Sequence, residues 1–289
     1  MSSKIHWLAS YPKSGNTWLR LVLSHLMREP AQETSLNDIA GGTIATDRMW
    51  IDRALGFPTS ELLPDEILDL RPAVYRWTAD KAERAQFHKI HDACLSAGGG
   101  GWLPSVEASG PGVYLVRNPL DVAVSFASHL GRTIDKTITA MEPPGMEMGR
   151  SPQGGITVHL PHVLPGWSDH VVSWIDNPHF DMLLVRYEDM LAQPAEWFGR
   201  IARHLMLDAA ESDVAQAIEQ TRFERLQEQE AQEPFKEKPL AAERFFRKGI
   251  AGDWQQSLSP AQVERIVATH RPMMERLGYC DGNGKPQVM

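Results

Sequence analysis

Short apolar runs and helical patterns alternate along the chain. Residues 5–9 form an apolar run that predicts a buried strand, and residues 19–27 carry apolar side chains at helical spacing. Three further strands are predicted near 86–90, 113–117 and 182–186, with helical patterns between them. This alternation predicts an α/β fold in which helices flank a mostly parallel central sheet.

Polar side chains follow the carboxyl ends of these four predicted strands. Lys13, His91, Arg117 and Tyr187 each lie at such an end. Ligands of parallel α/β folds bind at this edge of the sheet. The hydrophobic pattern alone therefore predicts a binding site to which these four residues contribute.

Helix signals complete the pattern. Pro64, followed by two acidic residues, and Pro119, followed by Asp121, each suit the first turn of a helix. Further helices are predicted from Trp167 to Ile175, from Glu188 through about Leu205, and within residues 208–232.

Residues 132–161 interrupt the pattern. Glu142–Gly149 and Ser151–Gly155 are rich in Pro and Gly, which predicts no regular structure there. A loop this long in a compact domain is usually functional or disordered. We expect a substrate loop or lid over 132–161, and an insertion that contacts no ligand is the alternative. A flexible connection is also predicted at the four-glycine run, Gly98–Gly101.

Composition narrows the class of protein. The 289 residues fit one large domain or two small ones, and we expect a single domain over 1–289. The formal net charge of −8 argues against a nucleic-acid partner, which favours a basic surface. Two cysteines are too few for a disulfide framework. Because neither a secretory signal nor an apolar run of about 20 residues stands out, we expect a cytoplasmic protein with no membrane partner.

The stretch from Ser10 to Trp18, Ser-Tyr-Pro-Lys-Ser-Gly-Asn-Thr-Trp, joins the first predicted strand to the first helix. Unpaired N–H groups at a helix start carry partial positive charge and bind anions. Lys13 adds a full charge, and Gly15 lets the backbone approach an anion closely. The loop predicts a phosphate site, although an ordinary strand–helix turn with a capping Ser or Thr shares the pattern. It is not a Walker A loop, because its Lys precedes the only Gly.

Three motifs in one order resemble the sulfotransferases that use 3′-phosphoadenosine 5′-phosphosulfate (PAPS). Residues 11–18 are similar to the 5′-phosphosulfate loop of that family. Residues 117–125, Arg-Asn-Pro-Leu-Asp-Val-Ala-Val-Ser, resemble its 3′-phosphate motif, and residues 247–254, Arg-Lys-Gly-Ile-Ala-Gly-Asp-Trp, resemble its C-terminal nucleotide motif. Weaker similarities lie between them, at 89–91, 167–170 and 187–190.

The resemblance implies a P-loop-like sulfotransferase fold of the soluble, cytosolic-type branch, with a bacterial origin as the expectation. It implies that PAPS is the co-substrate, that 3′-phosphoadenosine 5′-phosphate (PAP) is the product, and that no metal is needed. Three residues receive catalytic roles. His91 removes the acceptor proton, Lys13 stabilises charge on the bridging oxygen of the leaving nucleotide, and Lys89 binds an oxygen of the sulfuryl group.

The resemblance also implies a set of nucleotide-binding residues. Arg117 and Ser125 would grip the 3′-phosphate, and Phe223 would lie against the adenine ring opposite Trp18. The full set is Lys13, Ser14, Gly15, Asn16, Thr17, Trp18, Arg117, Ser125, Tyr187, Phe223, Arg247, Lys248 and Gly249.

Several of these residues also fit purely structural roles. His88 is the nearest competitor of His91 for the role of base, and we expect it to be dispensable because adjacent side chains of a strand point to opposite faces. Arg117 also fits a salt bridge with Asp121. Trp18 and Phe223 also fit a hydrophobic core.

The reaction that we expect is transfer of the sulfuryl group to a hydroxyl, or secondarily an amine, of a small-molecule acceptor. The alternatives are a P-loop-like small-molecule kinase and a non-catalytic nucleotide-binding protein. Many soluble animal members carry a dimer motif, Lys-x-x-x-Thr-Val-x-x-x-Glu. Here only Glu264 matches, while Gln255, Ser259 and Pro260 replace the other residues. We therefore expect a monomer, or a dimer that does not use this motif.

Overall fold

The computed structural model describes residues 4–28, 35–37, 39, 42–96, 102–151, 153 and 155–288. The predicted flexible connection at Gly98–Gly101 lies outside the described residues. The strands are β1 (Ile5–Ser10), β2 (Gln86–Ile90), β3 (Leu95–Ser96), β4 (Trp102–Leu103), β5 (Gly112–Val116), β6 (Met146–Met148), β7 (His162–Leu164) and β8 (Met182–Arg186).

The four strands predicted from the hydrophobic pattern form one sheet in the order β2-β1-β5-β8. β1 and β2 pair in parallel, with Ile5 opposite Gln86 and Ala9 opposite Ile90. Every residue of β1 and β5 is buried, as expected of strands that are covered on both faces. The short strands form two antiparallel pairs, β3 with β4 and β6 with β7. The α/β prediction is confirmed.

Local chemistry sets the helix ends. The helix Pro119–Leu130 begins after Asn118, whose side chain accepts a hydrogen bond from the Leu120 amide. Ser259 and Pro260, at positions of the animal dimer motif, here begin the last long helix. The helices are α1 (Asn16–Leu26), α2 (Arg48–Leu55), α3 (Pro64–Lys81), α4 (Pro119–Leu130), α5 (Ile134–Met141), α6 (Trp167–Ile175), α7 (Tyr187–Ala192), α8 (Pro194–His204), α9 (Glu211–Gln220), α10 (Phe223–Gln232), α11 (Trp254–Ser257) and α12 (Pro260–Arg276).

Two long helical predictions are interrupted in the structure. The helix expected from Glu188 through about Leu205 is α7 followed by α8, because Pro194 lacks the N–H that a continuing helix needs. The helical region 208–232 is likewise α9 and α10, separated at Thr221. No helix of the described residues is both long enough and apolar enough to cross a bilayer.

Residues 132–161 contain more regular structure than predicted. Their first part forms α5, and Met146–Met148 forms β6, which pairs with β7. Gly145 and Gly149 flank β6 with φ values of 94° and 72°. These turn residues gave the segment its irregular composition. The prediction that Glu142–Gly149 lacks regular structure is wrong, and the assignment of a lid stays a prediction.

The chain divides into two compact units, and each is assembled from three sequence segments. The single domain expected over 1–289 stays a prediction. Unit 1 comprises Met1–Tyr11, Gly41–Tyr114 and Pro143–Leu184. Unit 2 comprises Pro12–Ala40, Leu115–Glu142 and Val185–Met289.

The core of unit 1 is rich in buried aromatic residues around an ion pair. Trp7 packs edge-on against Tyr75, with 5.0 Å between their ring centroids. Beside them Arg71 Nη1 lies 2.7 Å from Asp92 Oδ1, and Arg71 Nη2 lies 3.0 Å from Asp92 Oδ2. All four side chains are buried. A bidentate contact of this kind lets both charges lose their water.

Unit 2 has its own apolar core, and a buried carboxylate lies at the start of α7. Glu188 accepts hydrogen bonds from the Asn118 amide and the Tyr279 hydroxyl, both at 2.9 Å. Burial raises the pKa of Glu188, whereas these two bonds act in the opposite direction. The apolar cluster consists of Leu21, Leu36, Leu226, Phe235 and Phe246, with Phe223 and Phe245 packed against it.

Candidate active site

The loop predicted to bind phosphate enters α1 without a side-chain cap. Gly15 occupies the N-cap position with a φ of 96° and offers no side chain to the first amides. Ser14 is buried, and its Oγ has no hydrogen-bond partner among the described residues. Asn16 is buried and Thr17 half-buried at the start of the helix. An anion at this position would satisfy both the amides and the Ser14 hydroxyl, so the loop fits a phosphate or sulfate group.

Tyr187 closes this loop on one side. A Cβ added to Gly15 would lie 2.6 Å from Cδ2 of the Tyr187 ring. The positive φ and this close approach both require glycine. Burial raises the pKa of Tyr187, so its hydroxyl stays protonated and remains a hydrogen-bond donor.

Arg117 connects the phosphate loop to the C-terminal motif. Its Nη1 donates to the Lys13 carbonyl at 3.2 Å, and its Nη2 donates to the Ile250 carbonyl at 2.9 Å. The guanidinium also lies over Tyr187, 4.5 Å from the ring centroid. Its buried Nε has no partner among the described residues. The salt bridge to Asp121 is long, with 4.0 Å between Arg117 Nη2 and Asp121 Oδ2. It does not involve Nε, so the Nε–H of Arg117 can still donate to an anion.

Asp121 holds the C-terminal motif in place, a role that the sequence did not suggest. Its Oδ2 accepts from the Gly252 amide at 2.7 Å, and its Oδ1 accepts from the Trp254 amide at 3.0 Å. The hydrogen bond to Gly252 joins residues 131 positions apart. Nothing in the local pattern could have indicated it.

Arg247 and Lys248 share one carboxylate. Both donate to Asp253, whose side chain is buried. Burial alone would raise the pKa of Asp253, but the hydrogen bonds from Lys248 and Arg247 lower it, so the group is ionised. Two cations that face one carboxylate leave a net positive charge for an anionic ligand.

The two aromatic residues expected to face the adenine have different neighbours. A Cβ added to Gly249, which has a φ of 65°, would lie 2.3 Å from Cδ2 of Phe223. Trp18 is edge-on to Phe198, with 4.9 Å between ring centroids, and its indole N–H donates to Thr221 at 3.3 Å. Both Trp18 and Phe223 are half-buried. Their assignment to the adenine stays a prediction.

The ammonium group of Lys13 lies against other side chains of unit 2. Its Nζ is 4.3 Å from the centroid of the Phe245 ring and 3.4 Å from Nδ1 of His129. The Lys13 backbone has a φ of 69°, a left-handed conformation that non-glycine residues seldom adopt. Ser125 is half-buried on α4, one helical turn after Asp121. All of the predicted nucleotide-binding residues belong to unit 2.

His91 directly follows β2, in unit 1. Its Nδ1 lies 2.8 Å from the Ser10 carbonyl oxygen and 3.3 Å from the Ser10 hydroxyl. Because a carbonyl oxygen only accepts, Nδ1 carries the proton in this contact. In the neutral ring Nε2 then carries the lone pair, which is the group that a general base needs.

The surroundings keep the His91 ring neutral. Burial is the largest cause that lowers the pKa of His91 well below its ordinary value, and the charge of Lys89 adds to it. The hydrogen bond to Ser10 opposes this shift. Since the neutral form exists above the pKa, His91 is unprotonated near neutral pH.

His88, the competing histidine, is occupied by packing. Its ring stacks on Trp50 at 4.2 Å between centroids. Its Nδ1 lies 3.0 Å from the Thr43 carbonyl oxygen, and its Nε2 lies 3.1 Å from Oε1 of Gln86. With contacts at both nitrogens, His88 has a structural role in unit 1, which supports the choice of His91.

His162 is a polar group of unit 1 that sequence reasoning missed. Its Nδ1 lies 3.0 Å from the Leu160 carbonyl oxygen, so the lone pair belongs to Nε2. That buried Nε2 has no partner among the residues that the structure describes. Besides burial and Lys89, the charge of a protonated His162 lowers the pKa of His91. His162 and His91 therefore belong to the same unit and influence one another electrostatically.

Comparison with known proteins identifies the family. Residues 112–278, more than half of the chain, match the model of the sulfotransferase domain. The chain belongs to the sulfotransferase family. It is a PAPS-dependent enzyme that transfers sulfuryl groups, as its three motifs predicted.

Relatives in the family are similar over most of this sulfotransferase. Cytosolic sulfotransferase 13 of Arabidopsis thaliana is 28% identical over 273 residues, covering 91% of this chain and 74% of its own. Sulfotransferase 1B1 of Canis lupus familiaris is 25% identical over 272 residues, covering 92% and 82%. Amine sulfotransferase of Oryctolagus cuniculus is 26% identical over 163 residues, covering 53% and 51%. These are plant and mammalian proteins, so the bacterial origin stays a prediction.

Solved structures share the fold. A retinol dehydratase in complex with androsterone and the inactive cofactor PAP superposes with a TM-score of 0.61 at 20% identity, covering 96% of this chain and 83% of its own. A mouse sulfotransferase complexed with PAP superposes with a TM-score of 0.60 at 19% identity, covering 98% and 87%. The predicted sulfotransferase fold is confirmed.

Proposed function

We propose that this sulfotransferase transfers the sulfuryl group of PAPS to a hydroxyl of a small-molecule acceptor, with His91 as the general base. The observation that carries this proposal is the hydrogen bond from His91 Nδ1 to the Ser10 carbonyl. It fixes the ring orientation and leaves the Nε2 lone pair for the acceptor proton. The androsterone bound by the solved retinol dehydratase is a small molecule with a hydroxyl group, which supports this acceptor class.

PAPS, when bound, supplies the activated sulfuryl group and leaves as PAP. The start of α1 and the Ser14 hydroxyl would hold its phosphosulfate, because Gly15 gives this helix no side-chain cap and the buried Ser14 Oγ has no partner among the described residues. Arg117, through its Nε, would hold the 3′-phosphate. The remaining proposed nucleotide contacts are Lys13, Gly15, Asn16, Thr17, Trp18, Ser125, Tyr187, Phe223, Arg247, Lys248 and Gly249.

Three side chains carry the proposed chemistry. His91 takes the acceptor proton onto Nε2 as the acceptor oxygen attacks sulfur. Lys13 stabilises the negative charge that develops on the leaving oxygen, and Lys89 binds an oxygen of the sulfuryl group. No metal enters this scheme, since two lysines supply the positive charge. An amine acceptor is the second candidate, because one relative carries the name amine sulfotransferase.

A matched pair of acceptors tests the proposal after a panel of phenols, alcohols and amines has been screened by mass detection of sulfated product. Near neutral pH para-nitrophenol is partly ionised and phenol is not, so phenol depends more on a base. We expect His91→Asn to lower kcat for phenol by about 10²–10⁴-fold, and kcat for para-nitrophenol clearly less. Equal losses for the two acceptors would contradict the general-base role. Sulfation of amines alone would contradict the hydroxyl acceptor.

A further inference from the structure

A second histidine, His170 on α6, lies directly behind His91 in unit 1. It is fully buried. Its Nε2 is 3.1 Å from the His91 carbonyl oxygen, and its Nδ1 is 2.8 Å from the hydroxyl oxygen of Tyr114 on β5. The Tyr11 ring stands edge-on to it, with 5.4 Å between centroids. The chemistry proposed above gives His170 and Tyr114 no role.

These contacts determine which atom carries the proton in each hydrogen bond between Tyr114, His170 and His91. The His91 carbonyl oxygen only accepts, so His170 Nε2 carries the proton and donates it. The His170 ring is neutral, because burial lowers its pKa to about 4. Nδ1 then holds a lone pair, and Tyr114 must donate its hydroxyl hydrogen to it. The result is a directed chain from the Tyr114 hydroxyl through His170 to the His91 carbonyl.

Asp92, the residue that follows His91, is held from other sides as well. The indole N–H of Trp174 donates to the Asp92 carbonyl at 3.0 Å. The Asp92 carboxylate is held by both terminal nitrogens of Arg71. The His91 carbonyl, one residue earlier, is held by His170. With the imidazole held by Ser10, both ends of His91 are anchored.

A polar chain in this place calls for an explanation beyond packing. Buried hydroxyl and imidazole groups lose their water, and hydrogen bonds only partly offset that loss. An apolar pair of similar volume would fill the same space without that penalty. The series of hydrogen bonds from Tyr114 through His170 does, however, fix the orientation of the His91 carbonyl, which apolar packing alone would not do.

We propose that Tyr114 and His170 are positioning residues for His91: the Tyr114 hydroxyl selects the His170 tautomer whose Nε2–H orients the His91 carbonyl, and this keeps Nε2 of His91 directed at the acceptor. The proposal rests on the role of His91 as general base. Tyr114 and His170 themselves touch neither the acceptor nor the nucleotide in this scheme.

A double-mutant cycle in the full-length enzyme tests this. We expect Tyr114→Phe to lower kcat by about 10-fold, the scale of a small misplacement of a catalytic group, with the Kd of PAP unchanged within about twofold. In a His91→Asn background the same change should have no further effect on kcat, because the group that it positions is gone. Tyr279→Phe is the matched control, because it removes another buried hydroxyl, the one that donates to Glu188 in unit 2. Its effect on kcat should be the same with or without His91.

Position 170 gives a second test that does not depend on Tyr114→Phe folding. His170→Gln keeps an N–H donor in about the place of Nε2, and His170→Met has similar volume without a donor. We expect the Gln variant to stay within about threefold of the wild-type kcat and the Met variant to fall about 10-fold at equal Tm.

The failures of the two proposals are distinguishable. Full activity of His91→Asn would remove the general-base role and, with it, this one. An impaired His91→Asn enzyme in which Tyr114→Phe lowers kcat by an equal factor in both backgrounds would overturn only the positioning role. So would equal kcat values for the Gln and Met variants.

Discussion

The residues expected to hold the nucleotide and the residues around His91 differ in how complete their hydrogen bonding is. In unit 2 the Ser14 hydroxyl and the Nε of Arg117 have no partner among the described residues. In unit 1 both ends of His91 are bonded, through Ser10 and His170. The proposed nucleotide-binding residues therefore leave two buried donors to a ligand, whereas protein groups hold Nδ1 and the carbonyl of His91. Nε2 of His162 is a buried nitrogen of unit 1 that has no partner among the described residues.

Charge follows the same division. Arg247 and Lys248 face a single carboxylate in unit 2, so positive charge is left over. In unit 1 Arg71 and Asp92 neutralise one another and the rings of His91 and His170 are neutral, although Lys89 adds a positive charge that acts on His91. Excess charge suits the capture of an anion from water, and a neutral, rigid base suits proton transfer. Each of the following experiments bears on this contrast.

The largest effect should come from the base itself. His91→Asn should lower kcat by about 10²–10⁴-fold, since general-base catalysis contributes that much. Calorimetry should show the Kd of PAP unchanged, because the nucleotide residues belong to unit 2. His88→Asn is the matched control, and it should lower Tm while kcat is mostly retained. An inactive His88→Asn beside an active His91→Asn would show that the other face of β2 carries the base.

The complete network around His91 should be sensitive to loss of one charge. Asp92→Asn leaves Arg71 buried without a counter-ion, which should lower the free energy of unfolding by about 3–5 kcal/mol. Urea denaturation measures this loss. Asp189→Asn, which breaks the partly exposed pair with Arg186, should lower it by at most about 1 kcal/mol. Similar losses of unfolding free energy in Asp92→Asn and Asp189→Asn would show that the buried ion pair stabilises the fold no more than the partly exposed one.

That stabilisation should depend on pH in a defined direction. Burial alone would raise the pKa of Asp92, but Arg71 lowers it to about 2. A carboxylate with a lowered pKa stabilises the fold above its unfolded pKa of about 4 and loses that effect as the pH falls toward the folded value. The difference between wild type and Asp92→Asn should therefore narrow below about pH 4. A difference that stays constant down to pH 2 would contradict the ion-pair origin.

Among the nucleotide residues, a smaller and ligand-dependent effect is expected. Arg117→Ala should weaken binding of PAP by about 1.5–3 kcal/mol, the scale of a hydrogen bond to a charged group. Binding of adenosine 5′-phosphosulfate, which lacks the 3′-phosphate, should hardly change. Calorimetry with both ligands decides the matter. Equal losses of binding free energy for the two ligands would show that Arg117 supports the loop through the Lys13 carbonyl and does not bind the 3′-phosphate.

The smallest effect concerns residues 132–161. Limited proteolysis of the free enzyme should cut first between Gly149 and Val158, outside α5 and β6, and PAP with an acceptor should slow the cut. The readout is the mass of the fragments over time. Cleavage that starts within β6 would argue against its pairing with β7. Resistance of residues 132–161 to cleavage in the free enzyme would contradict the prediction of a lid.

Much of the fold could be predicted because its signals are local. Buried parallel strands are short apolar runs, so β1, β2, β5 and β8 were found within a residue or two. The break at Pro194 was missed although proline marks it, because the apolar pattern continues on both sides. The strand at Met146–Met148 was missed because the glycines beside it resemble those of an irregular loop.

For the candidate site, too, local sequence patterns predict motif residues but not contacts between distant residues. Lys13, His91 and Arg117 could be proposed as site residues because they stand at predicted strand ends within recognisable motifs. The contacts of Asp121 and His170 were not predicted, because they join residues far apart in the sequence. The hydrogen bond from Tyr114 to His170 spans 56 positions, and that from His170 to His91 spans 79. Only the folded chain brings such pairs together.

The segment order of the two units also constrains synthesis of the protein. Unit 1 is complete once Leu184 has been made, whereas unit 2 joins Pro12–Ala40 to a segment that ends at Met289. Translation proceeds from the N-terminus at about 5–20 residues per second, and distant contacts form only after both partners have emerged. The phosphate loop therefore leaves the ribosome long before Ile250, the residue to which Arg117 donates. The proposed nucleotide-binding residues are therefore all present only after residue 249 has been made, and a premature stop before residue 247 would release a chain that lacks Arg247, Lys248 and Gly249.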